Sequence, residues 1–209
     1  MDVNVFDYKI CLLPDNADIS RIDFSGIGED LKKSITCNWE KPYKEFPDDK
    51  ISVNWSITDS AGENTDTSEI VKLSNENQKT ATIVPLKIGK TYLKCVFSVD
   101  DEVLGESVIP IIVSGIESAD SETVITNNII NMSKTGTKTA KIKYTFGEEI
   151  TSASYEAAIL PSNNFAITKN SDNTFTIKYD GTSEVTAEVT IIVKTGNQEY
   201  KGTIKINIS

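Results

Sequence analysis

Apolar and polar residues alternate with a period of two along most of this chain, in short runs cut by turn-forming residues. That is the pattern of half-buried β-strands. In the first half the runs are Phe6 to Leu13, Ser34 to Trp39, Ile51 to Thr58, Ile70 to Leu73, Thr80 to Leu86, Thr91 to Val99 and Val103 to Val113. Turn chemistry separates them at Asp48-Asp49-Lys50, Ser60-Ala61-Gly62-Glu63-Asn64, Ser74-Asn75-Glu76-Asn77 and Ile88-Gly89-Lys90. Asp100-Asp101, between the last two runs, predicts a tight hairpin. Ser20 to Lys33 breaks the pattern. Ile19, Ile22, Ile27 and Leu31 have loose helical spacing with Gly26 and Gly28 among them, so a long loop with at most one helical turn is expected.

Alternation stops again at Ser114 to Ser121, a polar stretch that reads as a domain boundary. It then restarts, with runs at Thr123 to Met132, Lys138 to Phe146, Ser152 to Leu160, Phe165 to Thr168, Thr174 to Tyr179, Glu184 to Lys194 and Gln198 to Ile208. Asp180-Gly181 and Gly196-Asn197 are strong turn signals. Val185, Ala187, Val189, Ile191 and Val193 share one face of their strand, and Tyr200, Gly202, Ile204, Ile206 and Ile208 share one face of its expected hairpin partner. Two layers packed face to face bury such faces, and no long window carries helical spacing. At 209 residues the chain is too long for one seven-stranded sandwich of roughly 100 residues and suits two. The expected organisation is an all-β protein of two tandem sandwiches, residues 1–114 and 122–209, with 115–121 as linker.

In the first half, Asn54-Trp55-Ser56 is followed by Val71-Lys72-Leu73-Ser74, then Ala81-Thr82-Ile83, then Gly89-Lys90-Thr91-Tyr92-Leu93-Lys94-Cys95. This order, over roughly residues 45 to 113, resembles the bacterial immunoglobulin-like domains, which occur in bacterial surface proteins and in structural proteins of tailed bacteriophages. Trp55 supplies a large core payload, and Gly89 permits the turn into the next strand. The second half resembles the same class only in strand count and turn spacing, and it holds no tryptophan. The resemblance implies tandem immunoglobulin-like sandwiches serving as an adhesion or decoration module, with no catalytic residue or cofactor to carry over.

Composition narrows the chemistry. The chain holds no histidine, which removes Ser-His-Asp and Cys-His nucleophile pairs and the commonest zinc ligands. Glu148-Glu149 and Asp100-Asp101 are available as carboxylate pairs, but neighbours on a strand point to opposite faces and neighbours in a turn point to water. Asp48, Asp49, Asp59, Glu63, Asp66, Asp100 and Asp101 fall in loops without the spacing of a calcium loop, so no metal site is expected. Gly26-Ile27-Gly28 lacks the third glycine of a dinucleotide loop. Formal charge is −10 and the 21 basic residues are scattered, which argues against nucleic-acid binding. The apolar run from Val108 to Val113 is too short to cross a bilayer, so no membrane segment is expected. The amino terminus has neither the basic start nor the apolar core of a secretion signal, so either export by that route does not occur or a leader has been removed.

Cys11, Cys37 and Cys95 match no zinc motif, and in strands each reads as a small buried hydrophobe. Cys37 and Cys95 are candidates for facing sheets, where antibody-type domains carry their bridge; against a bridge stands the third thiol, a liability in an oxidising compartment. Trp39, Tyr43 and Phe46, clustered with Pro42 and Pro47, form either a partner-contact patch or a loop folded over the sandwich edge. The expected function is therefore that of a non-enzymatic virion structural protein, a capsid, neck or tail component made in the host cytoplasm. It would contact other virion proteins in a multicopy symmetric assembly. The alternative is a bacterial cell-surface or secreted spacer or adhesion module, with carbohydrate binding as one form of it.

Overall fold

The computed structural model describes residues 10–13, 20–39, 50–74, 79–135, 138–196 and 198–209, with 10–13 and 39 as backbone. Its described elements are β-strands and a 3-10 turn at Glu29–Leu31. Its described residues divide into two compact units. One runs to Ile22 and from Glu29 to Ile112, and the other takes Asp23–Gly28 with Val113–Ser209.

The strands of the first sandwich are β1 (Ile10–Leu13), β2 (Ile22–Phe24), β3 (Lys33–Trp39), β4 (Ile51–Thr58), β5 (Val71–Ser74), β6 (Thr80–Pro85), β7 (Gly89–Val99) and β8 (Glu102–Val113). They form a sheet of order β1-β3-β6-β5 and a sheet of order β2-β8-β7-β4. Lettered in chain order from β1 as A and β3 as B, these are the A-B-E-D and C-F-G arrangements of the immunoglobulin sandwich, with β2 added beside G. The alternation of β7 explains its burial: Leu93, Cys95, Phe97 and Val99 face inward, while Lys90 is exposed and Tyr92 and Lys94 are half-buried on the other face. Val53 and Trp55 of β4 are buried in the same way, against exposed Asn54.

The second sandwich comprises β9 (Gly115–Ser118), β10 (Ile125–Thr126), β11 (Ile129–Met132), β12 (Thr139–Thr145), β13 (Ser154–Leu160), β14 (Phe165–Lys169), β15 (Phe175–Tyr179), β16 (Val185–Thr195) and β17 (Gln198–Ile208). Its sheets have orders β14-β15-β12-β9 and β10-β11-β17-β16-β13. With β9 as A, this is again A-B-E-D against C-F-G, and β11 lies parallel to the last strand. The faces expected from alternation are the buried ones: Ala187, Val189, Ile191 and Val193 of β16 and Gly202, Ile204, Ile206 and Ile208 of β17 line the core with Phe175, Ile177 and Ile142. The chain is thus two immunoglobulin-like β-sandwiches in tandem.

Three expectations from the sequence need correction. Residues 115–118, read as linker, are strand β9, paired with β12 through Ile116 opposite Tyr144 and Glu117 opposite Lys143. The polar reading misled because only Gly115 and Ile116 of this strand are buried. The loop from Ser20 to Lys33 contains strand β2 as well as its single 3-10 turn. Its residues 23–28 belong to the second unit: the Ser114 amide donates to the Phe24 carbonyl (2.9 Å) and the Asn128 side-chain amide to the Ile27 carbonyl (2.9 Å). Finally, Thr123 to Met132 is not one run but two short strands around Asn127-Asn128, both at positive φ. Asparagine tolerates that conformation in a tight turn.

Candidate functional site

The loop that follows β4 is organised by two carboxylates. Asp59 accepts from the amides of Ala61 (3.1 Å) and Glu63 (3.2 Å) and from the Asn64 side-chain amide (2.6 Å). The Asn64 bond, with those backbone amides, holds the Asp59 carboxyl below the usual carboxylate range. Asp66 accepts from the Ser68 amide and hydroxyl (both 2.8 Å) and from the Thr91 hydroxyl of β7, which is buried. Burial pushes the Asp66 carboxyl up, but these donors outweigh it and the net shift is downward. Asp59 is therefore occupied within the loop, and Asp66 in tying the loop to β7. Among the described residues no group of three or more Asp, Glu or Cys side chains is placed to hold a metal ion.

The two carboxylate pairs belong to different units. Asp100 and Asp101 occupy the β7–β8 turn at φ 49° and 65°, with both side chains exposed and Asp100 bonded to Lys50 (3.0 Å). Positive φ at both central positions is what a two-residue hairpin with matching twist requires. Glu148 and Glu149 follow β12, the first half-buried and the second exposed. Asp48 and Asp49 lie outside the described residues.

Between the two sheets of the first sandwich, Cys37 of β3 meets Cys95 of β7. Both are fully buried free thiols. Cys95 favours the Cys37 thiolate, with Lys79 adding to it, while burial opposes them; the net effect lowers Cys37. Cys37, together with burial, pushes the Cys95 thiol up. Trp55 of β4 stands opposite Cys95 in the ladder and is 4% exposed. This places a B-strand cysteine, an F-strand cysteine and a C-strand tryptophan where antibody-type sandwiches have them.

Of the expected contact patch, Trp39 ends β3, its backbone paired with Ile10. Tyr43 and Phe46 lie outside the described residues, so the structure does not bring the three together or separate them. A different surface was not legible from single residues. Strand β13 ends its sheet, pairing with β16 on one side among the described residues, and Leu160 on it is 71% exposed. Ser154, Glu156, Ala158 and Leu160 share its outward face, all exposed. An edge strand presents a row of backbone donors and acceptors to any extended segment that approaches it. No helix among the described residues is long and apolar enough to cross a membrane.

No protein-family model matches the chain, and no curated protein matches it. Among solved structures it is similar to extracellular domains 3–5 of Drosophila OTK, at 12% identity and a TM-score of 0.35, covering 90% of this chain and 58% of that one. It is similar to the I-band fragment I67–I69 of titin at 10% identity and a TM-score of 0.30, covering 90% and 62%. An endo-fucoidan hydrolase of glycoside hydrolase family 107 matches at 11% identity and a TM-score of 0.31, covering 90% of this chain and 27% of that one. The chain therefore spans less than two thirds of each of these structures. The strand order described above, and not these likenesses, defines the fold.

Proposed function

We propose that this chain is a non-enzymatic structural protein of a bacteriophage virion, a capsid, neck or tail component that works through protein–protein contacts of its two immunoglobulin-like sandwiches. The observation that carries the contact role is the open β13 edge with Leu160 exposed on it. In a symmetric particle with many copies, a weak contact at each edge suffices, because linked contacts raise effective affinity without new chemistry. The phage assignment rests on the resemblance through Trp55 and Gly89. Trp55 is buried between the sheets as that motif needs. Gly89 sits at φ 156°, where an added Cβ would lie 2.7 Å from Ile70 Cδ1.

A second reading, a spacer or adhesion module of a bacterial surface or secreted protein, is favoured by one observation. The facing thiols Cys37 and Cys95 stand at the bridge position of secreted sandwiches. Mass spectrometry and electron microscopy of purified particles separate the two. A fixed copy number of this polypeptide on the particle supports the virion role, and its recovery only from envelope or culture supernatant overturns it.

A further inference from the structure

We propose, resting on the contact role given above to the β13 edge, that β13 pairs with β13 of a second copy of this chain, antiparallel and centred on Ala157. Lys169 guards that edge in the free protein. It is the last residue of β14 and lies on the same side of that strand as Phe165 and Ile167, which pack into the core. Its ammonium crosses instead to the facing sheet. Nζ donates to the Tyr155 carbonyl of β13 (3.2 Å) and stands 5.7 Å from the centre of the Tyr155 ring. An inward-directed charge at this place is one of the ways in which a sheet blunts its edge.

The same bond identifies the groups that the edge offers. β13 pairs with β16 without a break in register from Ser154 to Leu160, so its backbone groups alternate in direction. With the Tyr155 carbonyl turned to the open side, the amides and carbonyls of Ala157 and Ile159 are turned there too. Two such edges match. About a two-fold axis at Ala157, Ala157 meets its own copy, Tyr155 meets Ile159, Glu156 meets Ala158 and Ser154 meets Leu160. Glu156 is the only charged residue of the strand, so no like charges oppose one another, and no proline interrupts the row. A second copy must displace Lys169 at each end of the pair. That keeps the contact weak between free chains and lets it form where many copies are held together.

Sedimentation equilibrium of the full chain and its variants provides the test. The wild type is expected to dimerise weakly, and Lys169→Ala about tenfold more tightly, since each copy loses one competing hydrogen bond. Lys169→Arg keeps a donor and should stay near the wild type. Ala157→Pro removes an open-side amide without touching the ladder to β16 and should abolish the dimer. Cysteine substitution reads the register independently. In a Cys11→Ser background, Ala157→Cys should give a disulfide-linked dimer on oxidation, because paired Cα atoms stand about 5.5 Å apart. Ser154→Cys, about 20 Å from its own copy, should not. A monomer at about 1 mM in both the wild type and Lys169→Ala overturns the proposal and leaves the edge to a strand of another protein. A dimer that survives Ala157→Pro, or one that Ser154→Cys links as readily as Ala157→Cys, overturns it as well. None of these results changes whether the polypeptide is found on purified particles, so the virion reading stands or falls separately.

Discussion

Trp55 faces Cys95 across the β4–β7 ladder, and its indole is 4% exposed between the sheets of the first sandwich. A side chain of this size so placed carries more of the core than any other single residue of β4. Trp55→Ala is expected to cost about 3–5 kcal/mol, cavity included. Urea unfolding followed by circular dichroism checks this, and the loss should fall on the first sandwich's transition alone.

Tyr144 is 5% exposed, and its hydroxyl has no hydrogen-bond partner. Burial, with Tyr200 and Asp23 nearby, pushes its phenol up to about 12. The folded value lies above the unfolded one of about 10, so the stability linked to this group is fully present below about pH 10. It is lost as pH rises from there through about 12. Tyr144→Phe should flatten that alkaline decline and leave stability at neutral pH unchanged or raised by up to about 1 kcal/mol. Urea midpoints of both proteins between neutral and strongly alkaline pH provide the comparison.

Gly202 of β17 has the same ring as its neighbour. A Cβ there would stand 2.8 Å from Tyr144 Cε2 and 3.1 Å from Ile116 Cγ1. Neither a packed aromatic ring nor the strand that carries Ile116 yields easily, so Gly202→Ala should destabilise the second sandwich by about 1–3 kcal/mol. Combining it with Tyr144→Ala should recover part of that loss beyond additivity, a coupling read from a double-mutant cycle of unfolding free energies.

The buried Thr91 hydroxyl is bonded to Asp66. Asp66→Ala strands that hydroxyl and should cost about 1–3 kcal/mol. The Asp66 carboxyl is held below its ordinary value, so its contribution is present above the unfolded value and is lost as pH falls through the lowered folded one. Acid titration of the wild type should therefore show a loss of first-sandwich stability on the acid side of about pH 4 that the Asp66→Ala variant lacks.

Leu160 is 71% exposed on the β13 edge, and replacing it should barely touch stability, within about 0.5 kcal/mol. Leu160→Lys should nevertheless weaken incorporation into particles, because a charge on an edge strand opposes strand addition. Quantitative mass spectrometry of particles carrying the variant measures that effect against an unchanged melting temperature.

Long strands were legible in the sequence and short ones were not. Strands β16 and β17 repeat the period-two signal over eleven residues each, enough to assign their buried faces residue by residue. Ile22–Phe24 and Gly115–Ser118 offer only one or two alternations, which a polar loop reproduces by chance. Asp100-Asp101 announced its turn because two short acidic residues in sequence interrupt apolar runs, and Asn127-Asn128 was passed over because Ile125 and Ile129 beside it continue the apolar pattern. The positions of Cys37, Trp55 and Cys95 could be read from strand order. That both thiols are buried in the core of the first sandwich from different sheets depends on how the sheets face, which no local pattern encodes.

The path of the chain through residues 23–28 sets an order on biosynthesis. Ile27 leaves the ribosome 101 residues before Asn128, which donates to its carbonyl. Strand β2 can pair with β8 as soon as β8 emerges, while the Ile27 carbonyl must stay solvated until Asn128 is translated. Vectorial folding of this protein thus closes the sheet of β2, β8, β7 and β4 with the residues just after β2 still waiting for the second sandwich.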